Sequence, residues 1–375
     1  MQIRAAVLEE MGRGFPYAQT RPLAVQNVEL APPGPGEVLI KMAAAGICHS
    51  DLSVIAGVRP RPLPMVIGHE AAGVVQEVGP FVQGLRPGDH VVTIFVATCG
   101  CCVECASGRP ALCEPGAVAG TAGTLLRGDR RLSLNNRPVN HHSGISAFAE
   151  YATVSQHSLV KIDKEIPLEH AALFGCAVLT GVGAATNSAT IGLGTTVAIV
   201  GMGGVGMAAL LGALAAGAGQ VIAFDTNADK LRKAKELGAT HVFDARDPHA
   251  IEAVKDLTRG GVDVALEFAG APPALELAWN VCRRGGEVVT ASLAPPTATF
   301  SVPMVPLVAE QKTLKGSYMG NAVPMRDIPR YLSLFRQGRL PIDRLVTHRL
   351  TLDQINEGMD RLHNGEAIRQ IVTFD

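Results

Sequence analysis

The stretch "TTVAIVGMGGVGMAALL", from Thr195 to Leu211, decides the fold class. A hydrophobic run typical of a β-strand leads into Gly201, Gly203 and Gly206, and a helical stretch rich in alanine and leucine follows. This is the G-x-G-x-x-G spacing in the strand, turn and helix context of a dinucleotide-binding turn. The first glycine permits the tight turn, the second lets the backbone approach a pyrophosphate, and the third allows close helix packing.

The next strand, "QVIAFD", ends at Asp225, nineteen residues after Gly206. A carboxylate there accepts hydrogen bonds from both ribose hydroxyls and repels the 2′-phosphate of NADP, so the sequence favours NAD. The alternative is that Asp225 only caps the helix that begins in "TNADK". The predicted coenzyme site on this segment comprises Gly201, Gly203, Gly204, Val205, Gly206, Asp225 and Lys230.

Outward from this turn, strand-like and helical runs alternate through the middle of the chain, which predicts a parallel sheet with helices on both faces. The first third instead shows short strands divided by Gly and Pro, such as "EVLIKMAAAGIC" and "AAGVVQEVG", and predicts mainly antiparallel β-structure. The last part, from about Asn321, ends in the strand "AIRQIVTF". We expect it to fold back onto the first domain, because a terminal strand needs a sheet to join.

Composition limits the possible partners. Lys plus Arg (33) and Asp plus Glu (34) nearly cancel in a chain of 375 residues, so we expect neither nucleic acid nor an anionic membrane as partner. The N-terminus lacks the apolar run of a secretory signal, which predicts a cytoplasmic protein. The uncharged stretch from Ala171 to Phe224 is interrupted by glycines at turn-like intervals, unlike a membrane span.

The segment "CGCCVECASGRPALC" holds five of the eight cysteines. In a reducing compartment such a cluster favours metal binding over disulfides. Its C-x2-C-x2-C-x7-C pattern can surround one tetrahedral zinc ion without an open position, so we predict a structural site. Cys101 is surplus and could compete with Cys102, which we favour; an iron–sulfur centre or reactive thiols remain alternatives. The predicted ligands are Cys99, Cys102, Cys105 and Cys113.

Three further ligands are far apart in sequence: Cys48 in "GICHSD", His69 in "VIGHEAAG" and Cys176 in "LFGCAVLTG". Two thiolates, one imidazole and a vacant fourth position would form a catalytic zinc site that polarises an alcohol oxygen. Sequence separation leaves open the alternative that the two cysteines are ordinary buried residues.

These segments, the four-cysteine loop, "GMGGVG" and the terminal "INEGMDRLHNGEAIRQIVTF" resemble, nearly end to end, the zinc-dependent alcohol dehydrogenases of the medium-chain dehydrogenase/reductase family. The resemblance implies an α/β chain in which a Rossmann doubly wound parallel sheet is inserted into a GroES-like, mainly β catalytic domain. Residues 1–178 would form the catalytic domain with the zinc loop 99–113, residues 179–320 the NAD-binding domain, and residues 321–375 a return segment that completes the catalytic domain.

The resemblance also implies roles for single residues. Cys48, His69 and Cys176 would bind catalytic zinc, and the four clustered cysteines would bind a second, structural zinc. Glu70 would assist ligand exchange, and Asp51 would accept a hydrogen bond from His69.

Ser50 would bind the substrate oxygen and begin a proton relay, so that a zinc-bound alkoxide delivers hydride to NAD. Many relatives have a histidine three residues later, where this chain has Ser53. His49 and Arg369 occupy positions that contact the coenzyme phosphates in relatives.

Phe95 corresponds to an aromatic wall of the alcohol pocket in relatives; the alternative is that Phe95 is an ordinary core residue. Ser50 is smaller than the threonine that some relatives carry. We therefore expect oxidation of medium-sized primary alcohols, aryl or allylic favoured, and the reverse reduction of aldehydes. One alternative is a glutathione-dependent formaldehyde dehydrogenase, which Ala117 disfavours because those relatives carry an arginine there. Another is a non-catalytic protein that binds zinc or a nucleotide. The resemblance also implies association through the edge strands of the nucleotide domains, so we expect the strand near 313–320 to pair between two subunits, with a homodimer as first choice and a homotetramer as second.

Overall fold

The computed structural model describes residues 1–374. Its strands are β1 Gln2–Leu8, β2 Leu23–Leu30, β3 Glu37–Gly46, β4 Met65–Val66, β5 Glu70–Val78, β6 His90–Thr93, β7 Leu132–Leu134, β8 Arg137–His141, β9 Tyr151–Ser155, β10 Leu159–Ile162, β11 Thr196–Val200, β12 Gln220–Asp225, β13 His241–Asp244, β14 Val262–Glu267, β15 Cys282–Thr290, β16 Thr313–Gly316, β17 Val346–Leu350 and β18 Arg369–Thr373. Its α-helices are α1 Tyr17–Thr20, α2 His49–Ile55, α3 Val103–Ala106, α4 Glu114–Ala122, α5 Leu168–Ala171, α6 Ala177–Gly183, α7 Gly204–Ala216, α8 Ala228–Glu236, α9 Ala250–Thr258, α10 Pro272–Val281, α11 Met304–Ala309, α12 Pro324–Arg336 and α13 Ile355–His363.

The chain divides into two compact units. The first comprises residues 1–176, 323–333 and the chain from Val346 onward. It contains a closed barrel in the order β1-β2-β7-β8-β4 and a seven-stranded sheet in the order β10-β6-β5-β3-β18-β17, with β9 also paired to β3. Strand β3 is apolar along nearly its whole length because it lies inside the sheet and is mostly buried. The antiparallel pairs that dominate this unit agree with the prediction for the first third of the chain.

The second unit comprises residues 177–322 and 334–345. Its six-stranded sheet has the order β13-β12-β11-β14-β15-β16, and every pair in it is parallel, as the alternation of strands and helices predicts. The strand order reverses direction between β11 and β14. Ligands of such sheets bind outside the carboxyl ends of the strands at this switch point.

The end of the chain is shared between the two units. Strand β18 pairs antiparallel with β3, so the last strand belongs to the sheet of the first unit. Residues 334–345 instead belong to the second unit, where Leu340, Ile342 and Leu345 are buried. We predicted the return segment from residue 321 as one block that completes the first domain. In the structure, its residues 334–345 pack with the second unit, and the rest from residue 323 onward packs with the first.

Each unit has its own apolar core. The sheet of the first unit packs Ile40, Met42 and Phe148 with residues of α13, and the second buries Phe224 and Trp279 beside β14. Among residues 1–374, no single helix is long and apolar enough to cross a membrane. One bent pair, 168–175 with 177–188, reaches that length and composition only when the two helices are taken together.

Candidate metal and coenzyme sites

The three distant candidate ligands meet in the first unit. Cys48 precedes α2, His69 precedes β5, and Cys176 follows a short turn at 172–175. The ligand atoms of Cys48, His69, Glu70 and Cys176 all lie within 4.8 Å of one another, and all four residues are buried. A hydrogen bond from the Cys176 thiol holds the pKa of Cys48 well below its ordinary value, which favours the thiolate form that binds metals.

The orientation of His69 fits a metal ligand. Its Nδ1 lies 2.9 Å from Oδ1 of Asp51, so this nitrogen donates to the carboxylate. Its Nε2 is buried and has no hydrogen-bond partner among residues 1–374. A buried polar atom is seldom left without a partner, and a divalent cation at the cysteine pair would supply one. The donor set, two sulfurs and one imidazole, suits zinc.

Asp51 is the centre of a buried network. It also accepts a hydrogen bond from the backbone N–H of Cys48 at 2.9 Å, which ties the carboxylate to a second candidate ligand. Burial alone would raise the pKa of Asp51, but the rings of His69 and His142 lower it by more than burial raises it. The pKa of Asp51 therefore lies below its ordinary value, and the carboxylate stays ionised. Asp51 therefore holds its charge where it orients His69.

His142 is a residue of this network that the sequence analysis missed. Its Nδ1 lies 3.2 Å from Oδ1 of Asp51 and accepts a hydrogen bond from the N–H of Gly68. Its ring stands perpendicular to that of His69, with centroids 5.3 Å apart. The only available signal was the adjacent pair "HH" at 141–142, and nothing in the sequence connects that pair to His69.

Glu70 and Arg369 form a buried ion pair. The guanidinium of Arg369 contacts the carboxylate of Glu70, and both side chains are almost inaccessible to solvent. The family resemblance implies different roles for the two residues, ligand exchange for Glu70 and phosphate binding for Arg369. The structure brings them together, and Nε of Arg369 has no hydrogen-bond partner within the described part of the chain.

The remaining predicted residues of the first unit lie close by in the chain. His49 begins α2 and is exposed, and Ser50 follows it half-buried. The hydroxyl of Ser53 donates to the carbonyl of His49 at 2.8 Å, so it is engaged with the backbone. Phe95 packs edge-to-face on His69 with ring centroids 4.7 Å apart, beside the candidate metal ligands.

The four-cysteine loop forms the second cluster. The sulfur atoms of Cys99, Cys102, Cys105 and Cys113 lie within 4.8 Å of one another, and Cys101 is outside this group and exposed. Backbone N–H groups point at the sulfurs: that of Cys99 at Cys113 (3.2 Å) and that of Cys102 at Cys99 (3.3 Å). Backbone N–H donors lower the pKa of Cys99 to about 6. All eight cysteines are free of disulfides, as a metal loop requires.

The glycine-rich turn of the second unit has the geometry that the motif predicts. Gly201 has φ of +94°, and a Cβ there would lie 2.8 Å from the backbone nitrogen of Ala269. A Cβ on Gly206 would lie 1.9 Å from the carbonyl oxygen of Gly201, so α7 can approach the turn only with glycine. A Cβ on Gly203 would meet nothing within 4 Å, which leaves that side of the turn open to a ligand.

Asp225 ends β12 beside this turn. Its Oδ2 accepts a hydrogen bond from the N–H of Met202 at 2.7 Å, and its Oδ1 accepts one from Asn227 at 2.9 Å. The cap of α8 is Asn227, whose side chain accepts from the N–H groups of Asp229 and Lys230. The alternative that Asp225 only caps this helix is therefore wrong.

Comparison with known proteins agrees with both halves of this architecture. Residues 34–164 match the alcohol dehydrogenase GroES-like domain, and residues 204–337 match the zinc-binding dehydrogenase domain. A relative from Mycobacterium tuberculosis named "Putative alcohol dehydrogenase D" is 41% identical over 99% of this chain and 100% of its own.

The solved structures that match include two that are similar over the full length of both chains. Benzyl alcohol dehydrogenase from Acinetobacter calcoaceticus has a TM-score of 0.93 at 32% identity, with 100% of each chain covered. A "putative zinc-binding dehydrogenase" from Sinorhizobium meliloti 1021, bound to NADP, has a TM-score of 0.80 at 27% identity, again with 100% of each covered.

One unit has a barrel and a buried cluster of thiols and an imidazole, and the other has a parallel sheet of the nucleotide-binding type. Together these features define a medium-chain dehydrogenase. The chain belongs to the zinc-dependent alcohol dehydrogenases of the medium-chain dehydrogenase/reductase family.

Proposed function

We propose that this chain uses NAD and zinc to oxidise medium-sized primary alcohols, aryl or allylic favoured, to aldehydes, and that it catalyses the reverse reduction. The observation that carries the proposal is the unpartnered Nε2 of His69 among the sulfurs of Cys48 and Cys176. When bound, zinc supplies an electrophile at this cluster and the coenzyme supplies a hydride acceptor.

The side chains around the cluster have two tasks: they orient the metal ligands, and they carry away the proton of the alcohol. Asp51 fixes the ring of His69 so that Nε2 faces the two sulfurs. Ser50 follows Cys48 by two residues, and its hydroxyl begins the proton relay: it takes up the proton of the alcohol while it passes its own proton on. Position 53 holds a serine, and its hydroxyl donates to a backbone carbonyl. This position therefore supplies no imidazole for the proton transfer that follows Ser50. Glu70, neutralised by Arg369, is the carboxylate next to the ligands.

Phe95 supports the preference for aryl or allylic alcohols. Its ring lies against His69, where an aromatic substrate could stack on it while its oxygen reaches the cluster. The similarity to benzyl alcohol dehydrogenase from Acinetobacter calcoaceticus agrees with this choice. Asp225 supports NAD over NADP, because its carboxylate would repel a 2′-phosphate.

The test measures the activity of purified protein on a panel of alcohols, with reduction of the coenzyme as the signal that is recorded. We expect benzyl and cinnamyl alcohols to be oxidised faster than ethanol, and NAD to be used in preference to NADP. Formaldehyde with glutathione is the control for the rival dehydrogenase class. Turnover of that adduct in preference to benzyl alcohol would overturn the substrate assignment, and absence of any coenzyme reduction would overturn the proposed activity.

A homodimer, with a homotetramer as second choice, is part of the proposal. Among the described strands, β16 has a partner on one side only, and nearby α11 exposes Met304, Val305 and Val308. An open edge of this kind can pair with the same strand of a second copy. Light scattering of the wild type and of a Gly316→Pro variant tests this. The N–H of Ser317 donates to the carbonyl of Thr290 in β15, and N–H directions alternate along a strand, so the N–H of Gly316 lies at the open edge and proline removes it. We expect the variant to be monomeric; equal masses would contradict this interface.

A further inference from the structure

Glu267 is a buried carboxylate that the chemistry above does not use. It ends β14 and is 1% exposed. Its Oε1 accepts hydrogen bonds from the backbone N–H groups of Ala269 and Gly270, each at 2.7 Å. Its Oε2 accepts from the hydroxyls of Thr290 and Ser292, each at 2.6 Å. One side chain thus joins the loop after β14 to the end of β15 and the segment that follows it.

The loop that Glu267 holds touches the glycine-rich turn. The space beside Gly201 is filled by the backbone of Phe268 and Ala269, since a Cβ on Gly201 would lie 2.8 to 3.1 Å from their atoms. Gly270 has φ of +72°, and its missing Cβ would lie 3.5 Å from the Cβ of Ser292. The loop is therefore packed between the turn and the segment after β15, and Glu267 fixes it from both sides.

The place of this loop on the sheet indicates its task. The glycine-rich turn after β11 would receive the pyrophosphate, and Asp225 at the end of β12 would receive the adenosine ribose. The adenosine half of the coenzyme then lies over β12 and β13. The strand order reverses at β11, so the other half extends over the carboxyl ends of β14 and β15. These are the ends that Glu267 joins.

We infer that Glu267 is a positioning residue for the nicotinamide half of the coenzyme: it fixes the two loops that receive this half. The inference rests on the proposed use of a nicotinamide coenzyme. If the role of Glu267 were purely structural, its removal would lower the stability of the protein and weaken the binding of both halves of the coenzyme alike. A positioning role would weaken the nicotinamide half alone, so the two can be separated.

The test compares the dissociation constants of NADH and of ADP-ribose, which lacks the nicotinamide, with the zinc-loaded protein. Glu267→Ala removes all four hydrogen bonds. Glu267→Gln keeps the connections, because the amide oxygen can accept from both N–H groups and the amide nitrogen can donate to both hydroxyl oxygens. Thr290→Val removes one donor at nearly constant volume and serves if Glu267→Ala does not fold.

Asp263→Asn is the matched control, at the opposite end of the same strand. Its carboxylate also joins two segments, since it accepts from the N–H of Thr196 at 2.8 Å and from Arg283 at 2.7 Å. Because it lies at the amino end of β14, its loss should leave the ratio of the two dissociation constants unchanged.

For Glu267→Ala we expect the dissociation constant of NADH to rise about tenfold or more, since several hydrogen bonds that fix the loops are lost, and that of ADP-ribose to change less than about threefold. Glu267→Gln should stay within about threefold of the wild type for both ligands, and Thr290→Val should shift NADH by a few-fold.

Equal weakening of both ligands in Glu267→Ala, or unchanged NADH affinity, would overturn the inference. A wild-type protein that binds ADP-ribose and NADH measurably but fails to oxidise alcohols would overturn the proposed activity and leave this inference testable by the same constants. A wild type that binds neither ligand would overturn both.

Discussion

The Asp51 carboxylate lies 2.9 Å from Nδ1 of His69, and both side chains are completely buried. This contact fixes which nitrogen of the imidazole faces Cys48 and Cys176. It connects two residues that are 18 positions apart in the chain. The binding of the proposed catalytic zinc therefore depends on a carboxylate that is not itself a ligand.

The first prediction concerns this carboxylate. Asp51→Asn removes the charge that orients His69 and places an amide group near the N–H of Cys48. We expect zinc affinity at the catalytic cluster to fall about 10- to 100-fold, the range found for lost partners of metal-binding histidines. Competition with a chelator measures this.

Asp89→Asn is the control for Asp51→Asn. Asp89 is another buried carboxylate of the first unit, bonded to Lys161 at 2.8 Å and outside the cluster. Unchanged zinc affinity in Asp51→Asn, or an equal loss in Asp89→Asn, would contradict the assigned role.

The second prediction separates two adjacent cysteines. The sulfur of Cys102 belongs to the four-sulfur cluster, whereas Cys101 is exposed. We expect Cys102→Ser to lose about one equivalent of zinc and to unfold at a lower temperature, because the loop has little core of its own. Cys101→Ser should keep the metal content and melting temperature of the wild type. Elemental analysis and calorimetry decide; zinc loss in Cys101→Ser alone would reverse the ligand assignment.

The third prediction concerns acid stability. Burial, with smaller effects of Arg130 and Arg131, lowers the pKa of His141 from 6.5 to about 3. Between these values the unfolded chain binds a proton that the folded chain does not, so the free energy of unfolding falls as the pH decreases. The slope from this group is at most about 1.4 kcal/mol per pH unit. Stability attributable to neutral His141 is therefore complete above about pH 6.5 and is lost toward pH 3.

Denaturant unfolding at several pH values tests His141. His141→Gln should give a smaller decrease between pH 6.5 and pH 5, whatever its absolute stability, since it removes this titration. His249→Gln, at an exposed position, controls for the loss of an imidazole. Parallel curves for the wild type and His141→Gln would show that the group does not cause the slope.

The fourth prediction concerns coenzyme choice. Asp225→Asn removes the negative charge while keeping an acceptor for the N–H of Met202. We expect the ratio of kcat/KM for NADP over NAD to rise about tenfold or more, because two unit charges about 4 Å apart repel by roughly 1 kcal/mol in bulk water and roughly 4 kcal/mol near a protein surface. Steady-state kinetics with both coenzymes measures the ratio. A ratio equal to that of the wild type would mean that Asp225 does not discriminate.

The features that could be predicted from the sequence are those whose geometry is constrained within a short segment of the chain. The turn at Gly201 could be predicted because its geometry is local: Gly201 has a positive φ, and Gly206, five residues later, lies too close to the carbonyl of Gly201 for a Cβ. The four-cysteine loop could be predicted because fifteen residues confine its sulfurs to a small volume. The roles of His142 and Glu267 could not be predicted, because their partners Asp51 and Gly68, and Thr290 and Ser292, lie on other segments of the chain. A single histidine or glutamate has no local pattern that distinguishes a buried network from an ordinary position.

The sequence by itself determined the class of sheet, the glycine turn and the compact cysteine cluster, because short-range sterics and spacing are encoded within each segment. Only the tertiary structure decided that Cys48, His69 and Cys176 share one buried volume, that Arg369 pairs with Glu70, and that residues 334–345 contact the second unit. The physical reason is that such encounters depend on the pairing of strands far apart in the chain. β3 and β18, for example, join residues that are more than three hundred positions apart.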